Sequence, residues 1–126
     1  MYRGRLAECR VAIALQADHP DLGTASADLR LPDGRTVEVK SSATSGKFSI
    51  GTGRRNVDLW VFVHVDESED GWRFTVASNA DVDDQRKGFK DPRKSPVMLS
   101  RSKVSKWGVL TERELIAAVR TSAPTT

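Results

Sequence analysis

Asp28, Glu38 and Lys40 are the residues of this chain best placed to do chemistry together. They lie in the stretch ASADLRLPDGRTVEVKSS, residues 25–42, which reads as one β-hairpin. Pro32-Asp33-Gly34 between alternating apolar residues is a hairpin signal. Proline sets φ for the first turn position and glycine takes the left-handed one. A three-residue loop with a glycine bulge pairs Leu31 with Arg35. Counting outward, Arg30 faces Thr36, Leu29 faces Val37, and Asp28 faces Glu38. Residues directly opposite share a face, with Cβ atoms roughly 4.5–5.5 Å apart. Lys40 stands two residues beyond Glu38 and shares that face. Leu29, Leu31, Val37 and Val39 point the other way, into a core. A slip of one residue would send one strand's set to the opposite face, so the register decides whether the three meet. Two carboxylates beside a lysine on adjacent strands suit metal-dependent phosphodiester hydrolysis. The plain alternative is the solvated face of an amphipathic hairpin.

Several elements must position these groups. Residues 5–17 have helical composition, with Leu6, Ala7, Val11, Ala14 and Leu15 as a buried stripe and Glu8 near its border. His19-Pro20 is the expected stop. Residues 57–65, VDLWVFVHV, form the strongest strand, and their nearly continuous apolar run predicts burial on both faces in the centre of a mixed sheet. Residues 72–78 predict a strand hairpin-paired with it. Short extended segments are expected at 47–50 and 97–99. Residues 81–95 are polar and basic, helical only in part. Thr111 caps a last helix, and Glu114 completes a T-x-x-E capping box. The order is α+β (mixed α/β): a central mixed β-sheet of about four strands flanked by helices.

Composition bounds the rest. With 126 residues and 38% hydrophobic content, the chain fits one domain, residues 1–120, with a disordered tail at 121–126. The net charge is only +3, from 20 Lys and Arg against 17 Asp and Glu. Its distribution says more. Residues 85–106 hold eight cations, Lys87 among them, against the single acid Asp91. Such a stretch reads as a phosphate-facing surface or as a solvated loop. Arg54 and Arg55, in a loop near the active face, and Ser42, on the face of Glu38 and Lys40, are further candidates for contact with a phosphate backbone. Trp107, between Lys106 and Gly108, is either core or a base-stacking ring. The lone Cys9 excludes an intrachain disulfide, fits a reducing cytoplasm, and reads as a core residue. His19 and His64 are isolated and no His or Cys cluster suggests zinc, and no apolar run approaches the roughly 20 residues of a membrane span.

These residues resemble the PD-(D/E)XK nuclease superfamily, the restriction-endonuclease-like fold. Its signature is an aspartate on the first hairpin strand and (Asp/Glu)-x-Lys on the next, here Asp28 and Glu38-Val39-Lys40. Many members add a glutamate on the first helix, where Glu8 fits, and the spacing from Gly4 to Glu8 is similar to that of small Holliday-junction resolvases. The likeness covers residues 3–77. The proline that often precedes the aspartate is replaced by Ala27. The resemblance implies a Mg²⁺-dependent endonuclease acting on DNA, with Mn²⁺ able to substitute. Asp28, Glu38 and the Val39 carbonyl would bind the metal. Lys40 would orient the attacking water and offset phosphoryl charge, and Glu8 would serve a second metal or its water shell. A domain this small has little room to read bases, so a homodimer, a partner protein or a fused targeting module is expected. Two other readings stay open: a non-catalytic nucleic-acid-binding module on a nuclease-like scaffold, and an interaction protein with no nucleic-acid role.

Overall fold

The structure, a computed structural model, describes residues 2–18, 28–42, 46–51, 57–66, 68–87 and 97–121. The elements run α1 (Tyr2–Leu15), β1 (Leu29–Arg30), β2 (Thr36–Ser41), β3 (Lys47–Ser49), β4 (Leu59–His64), β5 (Arg73–Ser78), α2 (Asn79–Arg86), β6 (Met98–Ser100), α3 (Arg101–Ser105) and α4 (Glu112–Thr121). The main sheet has the order β1-β2-β4-β5, with β2 and β4 parallel and both outer pairs antiparallel. β3 and β6 form a separate antiparallel ribbon. The chain is therefore α+β with a mixed four-stranded sheet, as its pattern predicts.

The hairpin follows from its turn. Gly34 adopts φ 93°, a left-handed value open to glycine at little cost. Its amide donates to the Leu31 carbonyl at 2.9 Å, and the Leu31 amide donates to the Arg35 carbonyl at 2.8 Å. That closure sets Leu29 opposite Val37 and Arg30 opposite Thr36. Among the described residues β1 covers Leu29 and Arg30, and residues 25–27 of the expected strand lie outside those described.

β4 is buried along its whole length, and its alternating residues feed two cores. Val61 and Val63 join Ala7, Val11 and Leu15 of α1, Val37 and Val39 of β2, Phe74 of β5, and Leu115 and Val119 of α4. Trp60 and Phe62 face the other side, where Phe48 of β3, Leu99 of β6, Val82 of α2 and Val104 of α3 cover them. The indoles of Trp60 and Trp107 both stack on the Phe62 ring, with centroids at 6.0 and 5.9 Å. Trp107 is thus a half-buried core ring rather than an open stacking platform.

Helix α1 departs from its expected stripe. Ala7, Val11 and Leu15 are buried and Ala12 joins them, but Leu6 is 44% exposed and Ile13 81% exposed. Cys9 is also exposed, not core. The helix ends before His19-Pro20. Gln16 takes φ 55°, and the Ala17 amide donates to the Ala12 carbonyl at 2.8 Å, closing a Schellman motif. The chain then turns so that the Asp18 and Arg30 backbones bond each other, extending the edge beyond β1. At the far end, Glu114 Oε1 accepts from the Thr111 amide at 2.9 Å and Thr111 Oγ1 accepts from the Glu114 amide at 3.2 Å, which is the expected capping box. Thr121 belongs to α4 rather than to a tail, and residues 122–126 lie outside those described. No helix among the described residues is long and apolar enough to cross a membrane.

Candidate active site

Asp28 stands immediately before β1, where the ladder to β2 stops. Its Oδ2 accepts from the Val39 amide at 2.9 Å. The carboxylate therefore takes a donor that a longer β1 would engage through its backbone. Among the described residues, no part of β1 pairs with Val39 to Ser41 of β2. An open recess of about 300 Å³ forms at this point, lined by Glu8 of α1, Asp28, Val39, Lys40 and Ser41 of β2, and Ser49 of β3.

The recess lies on the strand edge, which explains its mixture of walls. Val39 belongs to the core under α1, and Lys40 faces the opposite side of the sheet, in register with Phe62. A group at the edge is reachable from both. α1 packs against β2 and so brings the half-buried Glu8, next to the buried Ala7, to the rim. Two carboxylates and one ammonium line the recess, a balance that attracts a cation while keeping one fixed positive charge beside it.

Glu38 stands apart. It is 3% exposed, in register with Trp60, and does not line the recess. The hairpin face that carries Glu38 and Lys40 is not a solvated face. The β3–β6 ribbon and α2 build the second core on that side of the sheet. Lys40, nearer the end of β2, keeps access to the opening, and Glu38 does not.

The other candidates separate. Ser42 is 5% exposed; its Oγ accepts from the Val65 amide at 3.3 Å and its own amide donates to the Val63 carbonyl at 3.1 Å, so it ties the ends of β2 and β4 together. Arg54 and Arg55 lie outside the described residues. Lys87, at the C-cap of α2, is exposed and pairs with Asp84 at 3.2 Å. Arg86, counted with the basic stretch, is buried: its guanidinium donates to the Ile50 and Gly51 carbonyls at 2.7 and 3.1 Å and meets Asp83 at 3.4 Å. It clamps α2 to the end of β3 and offers nothing to a phosphate. Lys90, Arg93 and Lys94 lie outside the described residues.

Sequence reasoning missed two features. Ser49 lines the recess, signalled only by the alternation Lys47-Phe48-Ser49. His64, read as isolated, anchors a buried relay. Arg101 Nε donates to His64 Nδ1 at 3.3 Å, which makes Nδ1 the unprotonated nitrogen. His64 Nε2 then carries the proton and donates to Thr75 Oγ1 at 2.7 Å, and Thr75 donates to the Gly108 carbonyl at 2.6 Å. Burial, and secondarily the Arg101 charge, lowers the His64 pKa from 6.5 to about 4. The imidazole is neutral and structural.

A second cavity, about 230 Å³, lies between the end of α1, the hairpin turn and α4. Within it, the Arg35 guanidinium is engaged with Asp33 at 2.9 Å and with the Val119 carbonyl at 3.0 Å, and the facing walls are largely aliphatic. No family model and no curated protein sequence matches this chain.

Proposed function

We propose that this chain is a metal-dependent endonuclease that hydrolyses DNA phosphodiester bonds, with Glu8, Asp28 and Lys40 as its working side chains. One observation carries the reading: an open recess is walled by Glu8 and Asp28 from two separate elements together with the Val39-Lys40 segment of β2. A hairpin whose charges were merely solvated would have no reason to gather a helix carboxylate to the same edge.

The donor set suits a hard cation. Magnesium takes oxygen ligands, keeps several waters, and needs only one or two carboxylates from the protein. Asp28 and Glu8 would hold it, with the Val39 carbonyl as a backbone oxygen. Among the described residues no group of three or more His, Cys, Asp or Glu converges on one point, so the site would be a lightly liganded magnesium site rather than a closed cage. Glu38, buried beside the recess, would act through the position of β2 rather than as an open ligand. When bound, the metal would act as a Lewis acid on a phosphoryl oxygen and acidify a coordinated water.

The chain's own groups do the rest. The bond from the Val39 amide fixes Asp28 Oδ2, and with it the direction of Oδ1. Lys40 Nζ donates to the attacking water or to a non-bridging oxygen, offsetting charge that grows in the transition state. The Ser41 and Ser49 hydroxyls, from two different strands, supply neutral donors to the phosphate.

The test is cleavage of supercoiled, single-stranded and branched DNA with Mg²⁺, Mn²⁺ or EDTA. Cutting that requires metal and disappears in Lys40→Ala supports the proposal. Metal-dependent cutting that survives both Lys40→Ala and Asp28→Asn sinks it. The second reading, a binding module without catalysis, draws on the burial of Glu38, which removes one carboxylate from the opening. It predicts salt-dependent DNA binding with no cutting on any substrate.

A further inference from the structure

A polyanion has to reach a recess whose own walls carry two carboxylates, and the β3–β6 ribbon stands beside that recess. Ser49 belongs to both. Side chains alternate across a ribbon. Phe48 and Leu99, paired across it, are 0% exposed and face the second core. Lys47 and Ser49 therefore project from the outer side, with their partners Ser100 and Met98. Lys47 is exposed there, and Met98 is 42% exposed. The ribbon runs straight into α3: Ser100 Oγ accepts from the Lys103 amide at 3.2 Å, which holds the first turn of α3, and the exposed Lys103 with it, against the ribbon's end. Segments 46–51 and 97–110 contain Lys47, Arg101, Lys103 and Lys106 and not one Asp or Glu. Arg101 is engaged with His64 and with the Val65 carbonyl. Lys47 and Lys103 are both exposed.

We propose that the outer face of the ribbon, Lys47, Ser49 and Ser100, continued by Lys103, is a track for the sugar-phosphate backbone of a nucleic-acid strand, leading away from the recess at Ser49. The occupant of the track is taken from the nuclease reading, while its charge complementarity stands apart from catalysis. Two lysines and two hydroxyls suit phosphate oxygens and carry no pattern that reads base edges. Met98 adds an apolar contact for sugar. Binding along such a track is indifferent to sequence and sensitive to salt.

The experiment is fluorescence anisotropy of labelled duplex and single-stranded oligonucleotides in EDTA, titrated with salt. The wild type is compared with Lys47→Ala/Lys103→Ala and with Arg113→Ala, an exposed cation on α4 that serves as control. The double variant should bind roughly tenfold more weakly at low salt and flatten the log–log salt slope by about two, while Arg113→Ala changes neither. An unchanged slope and affinity in the double variant overturns the track, as does a wild-type protein that binds neither oligonucleotide or prefers polyglutamate. Because EDTA removes any metal, the two proposals fail separately. Binding lost in the double variant, with no cleavage by the wild type, sinks the nuclease and leaves the track. Cleavage by the wild type, with binding intact in the double variant, does the reverse.

Discussion

Acidification should destabilise this protein through His64. The imidazole is 3% exposed and neutral in the native state, with Nδ1 accepting from Arg101 and Nε2 donating to Thr75. Its pKa falls from 6.5 to about 4 because burial penalises the charged form and Arg101 repels it. In the unfolded chain it titrates near its ordinary value. Between pH 6.5 and 4 the unfolded state therefore binds one proton that the native state refuses, and stability drops as pH falls. A tenfold difference in proton affinity between the two states corresponds to about 1.4 kcal/mol, so the full window is worth about 3 kcal/mol and a measurement at pH 5 should register about 2. That is a large fraction of the roughly 5–15 kcal/mol that stabilises a domain of this kind. Asp33 and Glu114, whose pKa values are lowered from 3.8 and 4.5 mainly by bonds from backbone amides, lose their contributions only at still lower pH. Urea unfolding from pH 4.5 to 7.5 should show the slope in the wild type, and His64→Gln should remove that component while keeping one donor and one acceptor. The variant cancels the contribution of His19, which both proteins share. Equal slopes in the two proteins, or an NMR titration placing His64 above pH 6, would refute the reasoning.

Asp28 separates structure from chemistry. Asp28→Asn keeps an oxygen for the Val39 amide and should leave stability within about 0.5 kcal/mol while abolishing metal-dependent cleavage; Asp28→Ala should cost roughly 1–2 kcal/mol as well, and paired urea melts and nicking assays distinguish the two. Arg86→Ala should destabilise by roughly 2–4 kcal/mol in denaturant, since it leaves the Ile50 and Gly51 carbonyls and Asp83 without the guanidinium that serves all three. Gln16→Gly should raise stability by roughly 0.5–1 kcal/mol, because glutamine holds φ 55° at the Schellman position; a lower melting temperature would show that the glutamine side chain contributes more than its backbone costs.

Much of the scaffold was legible without coordinates. The Pro32-Asp33-Gly34 turn dictates the β1–β2 register, because a three-residue loop closed by a left-handed glycine permits one pairing. The apolar run of 57–65 identifies the central strand, since only a strand covered on both faces can dispense with polar positions. Thr111 and Glu114 announce the start of α4 because a capping box lies within four residues. The signals that worked act over a few neighbouring positions.

What covers a face is decided elsewhere in the chain. Glu38 and Lys40 carry the same alternation, yet one is 3% exposed and the other lines an opening. On that side of the sheet the second core is built with the ribbon of β3 and β6, whose partner strands lie some fifty residues apart in sequence. Arg86 reads as part of a basic surface and is buried because the end of β3 presents two carbonyls to it. Cys9 reads as core and is exposed because α1 turns Ala7, Val11 and Ala12 toward the sheet instead. His64 reads as a lone histidine and becomes neutral because packing buries it and the Arg101 charge reaches it from α3. Turn angles, strand alternation and helix caps are local energies and show in the sequence. Burial, and the protonation states and access that follow from it, depends on which distant segments pack together, and only the tertiary structure decides that.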